Sequence, residues 1–275
     1  MTPASLEEKC LGIGRAIEGF DHIAVAFSGG VDSTFVAWFI LEKLGKRVTA
    51  FFADTVFVSA AERENALRTA ERLGLPLEVI ALNPLDSALV RANPVDRCYH
   101  CKKEVFSRIL AGAKQSGCHA VVDGSHAGDA GGYRPGKKAL AELGIISPLA
   151  AAGLVKEEIR RLSREAGLAN WNKPSQSCLA TRVPYGSPLS FELLQRIEKA
   201  EDILHGFGCA QVRVRCHGDL ARIEAEEPDF AAIFALETCK EILRRFAALG
   251  FAHVTLDLAG FRSGSWDEGR KTDDR

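Results

Sequence analysis

The sequence has almost no net charge, no long apolar run and no basic module. Lys+Arg 35 against Asp+Glu 36 leaves a formal charge of −1 over 275 residues. A chain that holds nucleic acid by bulk electrostatics is usually more basic. No basic excess hides in one half, since residues 171–275 hold 14 basic and 16 acidic side chains. The longest clean apolar run, Phe35–Leu41, is far short of a membrane span. The opening stretch, MTPASLEEKC, lacks the apolar core of a secretory signal, so a cytoplasmic location is expected. There is no internal repeat and no low-complexity segment. In a reducing compartment disulfides are not expected. The 8 cysteines are then core filler, metal ligands or reactive groups.

What is present is an ordinary globular composition, 47% hydrophobic and 26% charged, enough to bury a core. Up to about residue 170, strand and helix patterns alternate. The spacing predicts strands over His22–Phe27, Arg47–Asp54, Leu77–Leu82 and His119–Asp123. Helices are predicted over Ser33–Leu44, Ser59–Leu73 and Val155–Ala166, with another after Cys98. Ser59 and Glu62 form a capping-box pattern. This alternation predicts an α/β fold with a doubly wound parallel sheet.

From Trp171 the pattern changes. Residues 172–189 contain Pro174, Pro184 and Pro188 and little periodicity, and read as an active-site loop or linker. A helix (Ser190–Phe207), two strands (Gln211–Arg215, Leu220–Ala225), a helix (Pro228–Leu249) and a strand (His253–Leu258) follow. The expected domains are therefore 1–171, α/β, and 190–262, a smaller α+β domain, with a polar tail over 263–275.

The sharpest signal is Ser28-Gly29-Gly30-Val31-Asp32-Ser33, directly after Phe27 at the end of the first strand and opening a helix. The glycines let the backbone turn tightly, and the turn and helix N–H groups then face an anion. Ser28 and Ser33 add hydroxyl donors. A plain strand–helix turn is the bland alternative. No G-x-x-x-x-G-K-[ST] is present, which excludes a Walker A loop. The string resembles the PP-loop of ATP pyrophosphatases. That resemblance implies an adenine nucleotide alpha hydrolase-like fold and ATP cleaved between its α and β phosphates. The loop would hold pyrophosphate with Mg²⁺, and adenine would lie near Asp54 and Thr55. The Asp123-Gly124-Ser125 turn, on the same rim, would close the site.

Cys98 and Cys101 form a C-x-x-C, able to share a metal, act as a redox pair, or mean nothing more than two thiols at a helix start. Cys178 stands in KPSQSCLATR between Lys173 and Arg182, cations that would favour a nucleophilic thiolate. A lone cysteine is otherwise more often a small buried hydrophobe. Cys10, Cys118, Cys209, Cys216 and Cys239 fall in regular patterns and read as core or incidental.

SGGVDST, RCYHCK, DGS, YRPG, ELGIISPL, KPSQSCLATR and the RVR…ARIE pair follow one another in this order. Together they resemble the LarE family of ATP-dependent sulfur transferases, from about Ala24 to Arg262. The resemblance implies sulfur insertion into pyridinium-3,5-biscarboxylic acid mononucleotide during nickel-pincer cofactor biosynthesis. A carboxylate would be adenylated, and sulfur at Cys178 would displace AMP to give a thiocarboxylate. Single-cysteine members sacrifice that sulfur. Members with three cysteines resemble [4Fe-4S] enzymes, which would make Cys98, Cys101 and Cys178 cluster ligands with one iron left open.

A phosphorylated, multiply anionic substrate needs cations, and Arg213, Arg215, Arg182, Arg262 and Lys102 (or Lys103) are the candidates, while Glu201 and Asp229 are candidates to hold a metal or the substrate. Arg213 and Arg215 alternate with Val212 and Val214, so both leave one strand face. Guanidinium suits carboxylate and phosphate, although arginines are often ordinary surface residues. The family often has Asn-Ala-Asp-Asp after the DGS turn; here His126-Ala127-Gly128-Asp129 stands there. A homo-oligomer such as a hexamer is also suggested, with no nucleic acid and no membrane. The competing expectations are a PP-loop tRNA thiolation enzyme, a non-catalytic nucleotide and iron–sulfur sensor, and an NAD- or GMP-synthetase-like amidotransferase.

Overall fold

The computed structural model describes residues 5–131 and 135–262. Tyr133 and Arg134 of the YRPG motif, and the polar tail from Ser263, lie outside the described residues. In chain order the helices are α1 (Leu6–Ala16), α2 (Val31–Trp38), α3 (Ala60–Arg72), α4 (Ala88–Arg91), α5 (Arg97–Gln115), α6 (Gly136–Glu142), α7 (Pro148–Ala151), α8 (Lys156–Glu165), α9 (Phe191–Gly206), α10 (Phe230–Phe234) and α11 (Leu236–Ala248). The strands are β1 (His22–Ala26), β2 (Arg47–Asp54), β3 (Leu77–Ala81), β4 (Ala120–Val122), β5 (Val212–His217), β6 (Leu220–Ala225) and β7 (His253–Leu256). The chain divides into two units. The first comprises Met1–Pro84 and Asp96–Gln176; the second comprises Leu85–Val95 and Ser177–Arg275. The boundary thus falls inside the expected 172–189 loop. Leu85–Val95, which the sequence pattern leaves with the first domain, belongs to the second unit.

In the first unit the order β3-β2-β1-β4 is parallel throughout, as the strand–helix alternation predicts. Ile146 adds a parallel bridge beside Val122. Side-chain alternation splits the core between the two faces. Ile23, Val25, Val48 and Phe52 pack with α2 and α8 residues such as Val36 and Ile159. Ala24 and Phe51 pack on the other face against Phe106 and Ile109 of α5. Both faces are covered, which is why the strands are nearly continuous in apolar residues.

Local differences from the expected elements have physical causes. The helix α1 adds to the expected elements, and Ser5 and Glu8 close a complete capping box at its start. At α3, Ser59 Oγ accepts from the Glu62 N–H at 3.3 Å, but the Glu62 carboxylate is taken by Lys173 at 2.8 Å. The expected box is therefore half formed. The first crossover helix starts at Val31 and ends in a π-helical stretch, Phe39–Lys43.

In the second unit β5-β6-β7 form a mixed sheet, antiparallel then parallel. The helix α9 packs on it through Leu194, Ile197 and Leu204, and Ser190 caps its start. The helix expected over Pro228–Leu249 is broken. Ala235, at φ −55° and ψ 131°, separates α10 from α11.

Candidate active site

The phosphate loop sits at the carboxyl end of β1, the usual ligand edge of a parallel sheet. Gly29 has φ +68°, and a Cβ there would lie 2.6 Å from Ala66 Cα on α3. Both facts demand glycine. Its carbonyl accepts from Asn65 Nδ2 and from Asn170 Nδ2, each at 3.0 Å. Asn170 also donates to Thr34 Oγ1 at 2.9 Å. These amides hold the turn from behind. Within the loop, Ser33 Oγ accepts from the Ser28 N–H at 3.2 Å, and Ser28 Oγ accepts from the Gly30 N–H at 3.3 Å. Gly30 brings no side chain to cap α2. The first-turn N–H groups are left for an anion, with the positive end of the helix dipole behind them.

The neighbouring strand ends and turns form a rim around the loop. Phe27 continues the parallel ladder, donating its N–H to Phe51 at 2.8 Å. A Cβ on Gly124 would lie 2.9 Å from the Ser33 nitrogen, so the DGS turn abuts the loop. Asp123 is braced by Ser147 at 2.6 Å and by Ser125. At the end of β2, Asp54 accepts from Arg63 at 2.6 Å, and Thr55 Oγ1 accepts from the Phe57 N–H at 3.2 Å. The Asp129 carboxylate accepts from the His126 N–H at 3.0 Å, so the His-Ala-Gly-Asp departure closes a tight turn of its own.

Sequence reasoning missed three positions here. Lys156, the first residue of α8, reaches Asp32 Oδ2 at 2.6 Å. Asn65 and Asn170 grip the Gly29 carbonyl. None carries a local motif, because each comes from a different element and meets the loop only in the fold.

In the second unit Cys178 is exposed. It leads into a 3₁₀ turn, Leu179–Arg182, and its carbonyl accepts from the Thr181 N–H at 2.9 Å and hydroxyl at 2.7 Å. Arg182, 1% exposed, forks onto both Glu201 oxygens at 2.9 and 3.1 Å. Its remaining amino group donates to the Ser177 carbonyl at 2.9 Å. Asn93 holds the far side of the loop, donating to the Pro184 and Ser187 carbonyls at 2.8 and 3.0 Å. It is fully buried with φ 55°, a conformation Asn tolerates better than most residues. Lys173 and Arg182, the two cations that flank Cys178 in sequence, do not stand alone. Each is paired with a carboxylate, Glu62 and Glu201 respectively.

Arg215 is equally buried and pairs with Glu224 at 2.9 Å, while donating to the Thr181 carbonyl. Arg213 is different. It is 4% exposed and stacks 4.5 Å over Phe261. Its Nε is buried without a partner. Burial, then repulsion from Arg182 and Arg215, pulls its pKa down to about 10. Three buried guanidiniums face two carboxylates, and the surplus charge suits an anion. Asp229 also has a buried oxygen, Oδ2, without a partner. Arg262 is exposed, and its carbonyl accepts from Arg213 at 3.4 Å.

Cys98 and Cys101 lie in the first turns of α5, both half-buried. Lys102 runs along Gly136, and Lys103 pairs with Glu142. Among the described residues, no three His, Cys, Asp or Glu side chains are gathered to hold a metal ion. Burial pushes the thiols of Cys10, Cys118, Cys209 and Cys216 up, which disfavours their thiolates.

A family model described as NAD synthase matches residues 7–114, the part that carries the loop. The chain is 37% identical over 266 residues to pyridinium-3,5-bisthiocarboxylic acid mononucleotide synthase of Lactiplantibacillus plantarum, covering 96% of each chain. The chain belongs to the LarE family. It is accordingly an ATP-dependent sulfurtransferase of the PP-loop type. An uncharacterized Synechocystis protein is 38% identical over 259 residues, covering 94% of this chain and 97% of that one. A GMP synthase of Yersinia enterocolitica is 27% identical over 192 residues, 61% of this chain but 35% of its own length. That likeness stops short of the relative's full length, whereas the LarE likeness runs through the Cys178 loop and the arginine strand. The amidotransferase expectation falls with it. No helix among the described residues is long and apolar enough to cross a membrane.

Proposed function

We propose that the chain adenylates a carboxylate of pyridinium-3,5-biscarboxylic acid mononucleotide and converts it to a thiocarboxylate, in nickel-pincer cofactor biosynthesis. The observation that carries this is the end-to-end likeness to the Lactiplantibacillus plantarum synthase. Balanced charge and the lack of a basic module weigh against tRNA as the substrate.

In this reading Phe27, Ser28, Gly29, Gly30, Val31, Asp32, Ser33, Asp54, Thr55 and Gly124 receive ATP. The unpartnered, buried Asp32 Oδ1 fits a Mg²⁺ ion arriving with the nucleotide. Such an ion would offset phosphate charge. A substrate carboxylate oxygen attacks the α-phosphorus. The bond to the β-phosphate oxygen breaks, pyrophosphate leaves with the electron pair, and an acyl adenylate forms. The Cys178 thiolate then adds to the acyl carbon and expels AMP. Loss of the Cys178 Cα proton to a base breaks its Cβ–S bond. The thiocarboxylate departs with the sulfur, and dehydroalanine remains.

Arg213, Arg215, Asp229 and Arg262 are proposed to contact the anionic substrate, with Lys102 from α5. Support comes from the Arg213 Nε, buried without a partner, which a carboxylate or phosphate oxygen would satisfy. Arg182 and Glu201 shape the Cys178 loop, so their contribution comes chiefly through its geometry. The three-cysteine resemblance implies a [4Fe-4S] cluster on Cys98, Cys101 and Cys178. A cluster held there would supply the sulfur, and the Cys178 route written above is the alternative source.

A homo-oligomer in a reducing cytoplasm completes the proposal. The exposed Phe234, Leu236 and Leu243 of α10 and α11 offer apolar surface for association. Cys178→Ala is expected to keep substrate-dependent pyrophosphate release and lose all thiocarboxylate formation. Thiocarboxylate formed by this variant would overturn the role of Cys178. After anaerobic turnover, wild-type protein that has lost one sulfur at Cys178 marks the sacrificial source. Iron and sulfide that disappear in Cys98→Ala mark a cluster.

A further inference from the structure

We propose that Asn65 and Asn170 are positioning residues for ATP cleavage. Together they lock the Gly29–Gly30 peptide with its N–H turned toward the phosphates. The inference rests on the adenylation reading above and concerns two side chains that lie outside the motif.

Both amides reach the same atom. Asn65 Nδ2 and Asn170 Nδ2 each donate to the Gly29 carbonyl at 3.0 Å. A carbonyl oxygen has two lone pairs, so both are taken. Gly29 is buried, and a buried carbonyl needs partners. The peptide that follows is planar and trans, so its C=O and N–H point to opposite sides. Holding the Gly29 carbonyl at the back turns the Gly30 N–H to the front, where Ser28 Oγ accepts it at 3.3 Å. That N–H and that hydroxyl belong to the face that receives the phosphates.

The lock is needed because the plane turns easily. Neither Gly29 nor Gly30 has a Cβ to resist its rotation. A flipped plane would aim a carbonyl oxygen at the phosphate oxygens and withdraw an N–H donor. Repulsion would then replace attraction while the α-phosphorus–oxygen bond breaks and the departing pyrophosphate gains charge.

The two amides are braced as one unit. Asn65 and Glu62 share a face of α3. Glu62 pairs with Lys173 at 2.8 Å, and the Lys173 N–H donates to the Asn170 carbonyl at 3.0 Å. The second hydrogen of the Asn170 amide goes to Thr34 Oγ1 at 2.9 Å. Asn170 thus spans the loop and the helix that the loop opens. A cleft of about 540 Å³ lies behind, lined by Asn65, Thr69, Asn170 and Lys173 among others. Water from that cleft can replace a lost amide, so removing one loosens the plane without unfolding the loop.

The test uses the full chain and isothermal titration with inorganic pyrophosphate and with adenosine. Asn170→Leu keeps the side-chain volume and has no donor. It is expected to weaken pyrophosphate binding about 5- to 20-fold, as Asn170→Ala does, with adenosine changed by less than about threefold. Asn65→Ala, which leaves the Thr34 bond intact, is expected to show the same split and carries the test if the Asn170 variants do not fold. Adding Asn65→Ala to Asn170→Leu is expected to weaken pyrophosphate further. Variants that bind pyrophosphate as the wild type does overturn the assignment. So does an equal loss of adenosine and pyrophosphate, which would make the amides only a support for the fold. A wild type that releases no pyrophosphate from ATP in the presence of the pyridinium substrate overturns the adenylation reading itself.

Discussion

Arg182 shows how a single side chain can shape a loop. Its fork on Glu201 leaves an amino group free for Ser177, the residue before Cys178. Glu201 Oε1 also accepts from the Val214 N–H at 2.9 Å, so one carboxylate ties the loop to β5. Glu201→Gln leaves Arg182 as an uncompensated buried charge. A loss of about 3–5 kcal/mol in unfolding stability is expected, read by denaturant titration. A loss below about 1 kcal/mol would mean the pair is not a brace. The sequence makes Arg182 and Glu201 visible as candidates, but not as partners. Charge sign and family resemblance single them out; only the fold brings residues 19 apart into one fork. Asn93, Asn170 and Lys156 were invisible for the same reason.

At the scale of elements, the legible features were those written in local periodicity. The four parallel strands follow from short apolar runs bounded by turns. The break between α10 and α11 was not legible, because Leu236–Ala248 and Phe230–Phe234 each keep helical spacing across Ala235. The helix α11 carries its own ion network. Arg244 and Arg245 both hold the Glu241 carboxylate, which lowers its pKa from 4.5 to about 2. A depressed carboxylate stabilises the folded helix above its ordinary value. That contribution is lost as pH falls from about 4.5 toward about 2. Side-chain carboxyl NMR should give a Glu241 midpoint well below that of an ordinary glutamate. It should move back up in Arg244→Ala. An ordinary midpoint in the wild type would contradict the network.

At the scale of the whole molecule, the sequence marks a chemistry divided between two units. The first holds the phosphate loop and the C-x-x-C. The second holds Cys178 and the buried arginines. Of the 8 cysteines, the thiols pushed up by burial separate themselves from the exposed Cys178. The central claim is that one chain couples ATP cleavage to sulfur insertion. The most direct measurement incubates the purified protein with ATP and pyridinium-3,5-biscarboxylic acid mononucleotide, anaerobically, and follows pyrophosphate and the nucleotide product by mass spectrometry. The account predicts pyrophosphate release that requires the pyridinium substrate, and a product with sulfur in place of one carboxylate oxygen. Pyrophosphate released at the same rate without that substrate, or a product that gains no sulfur, would contradict it.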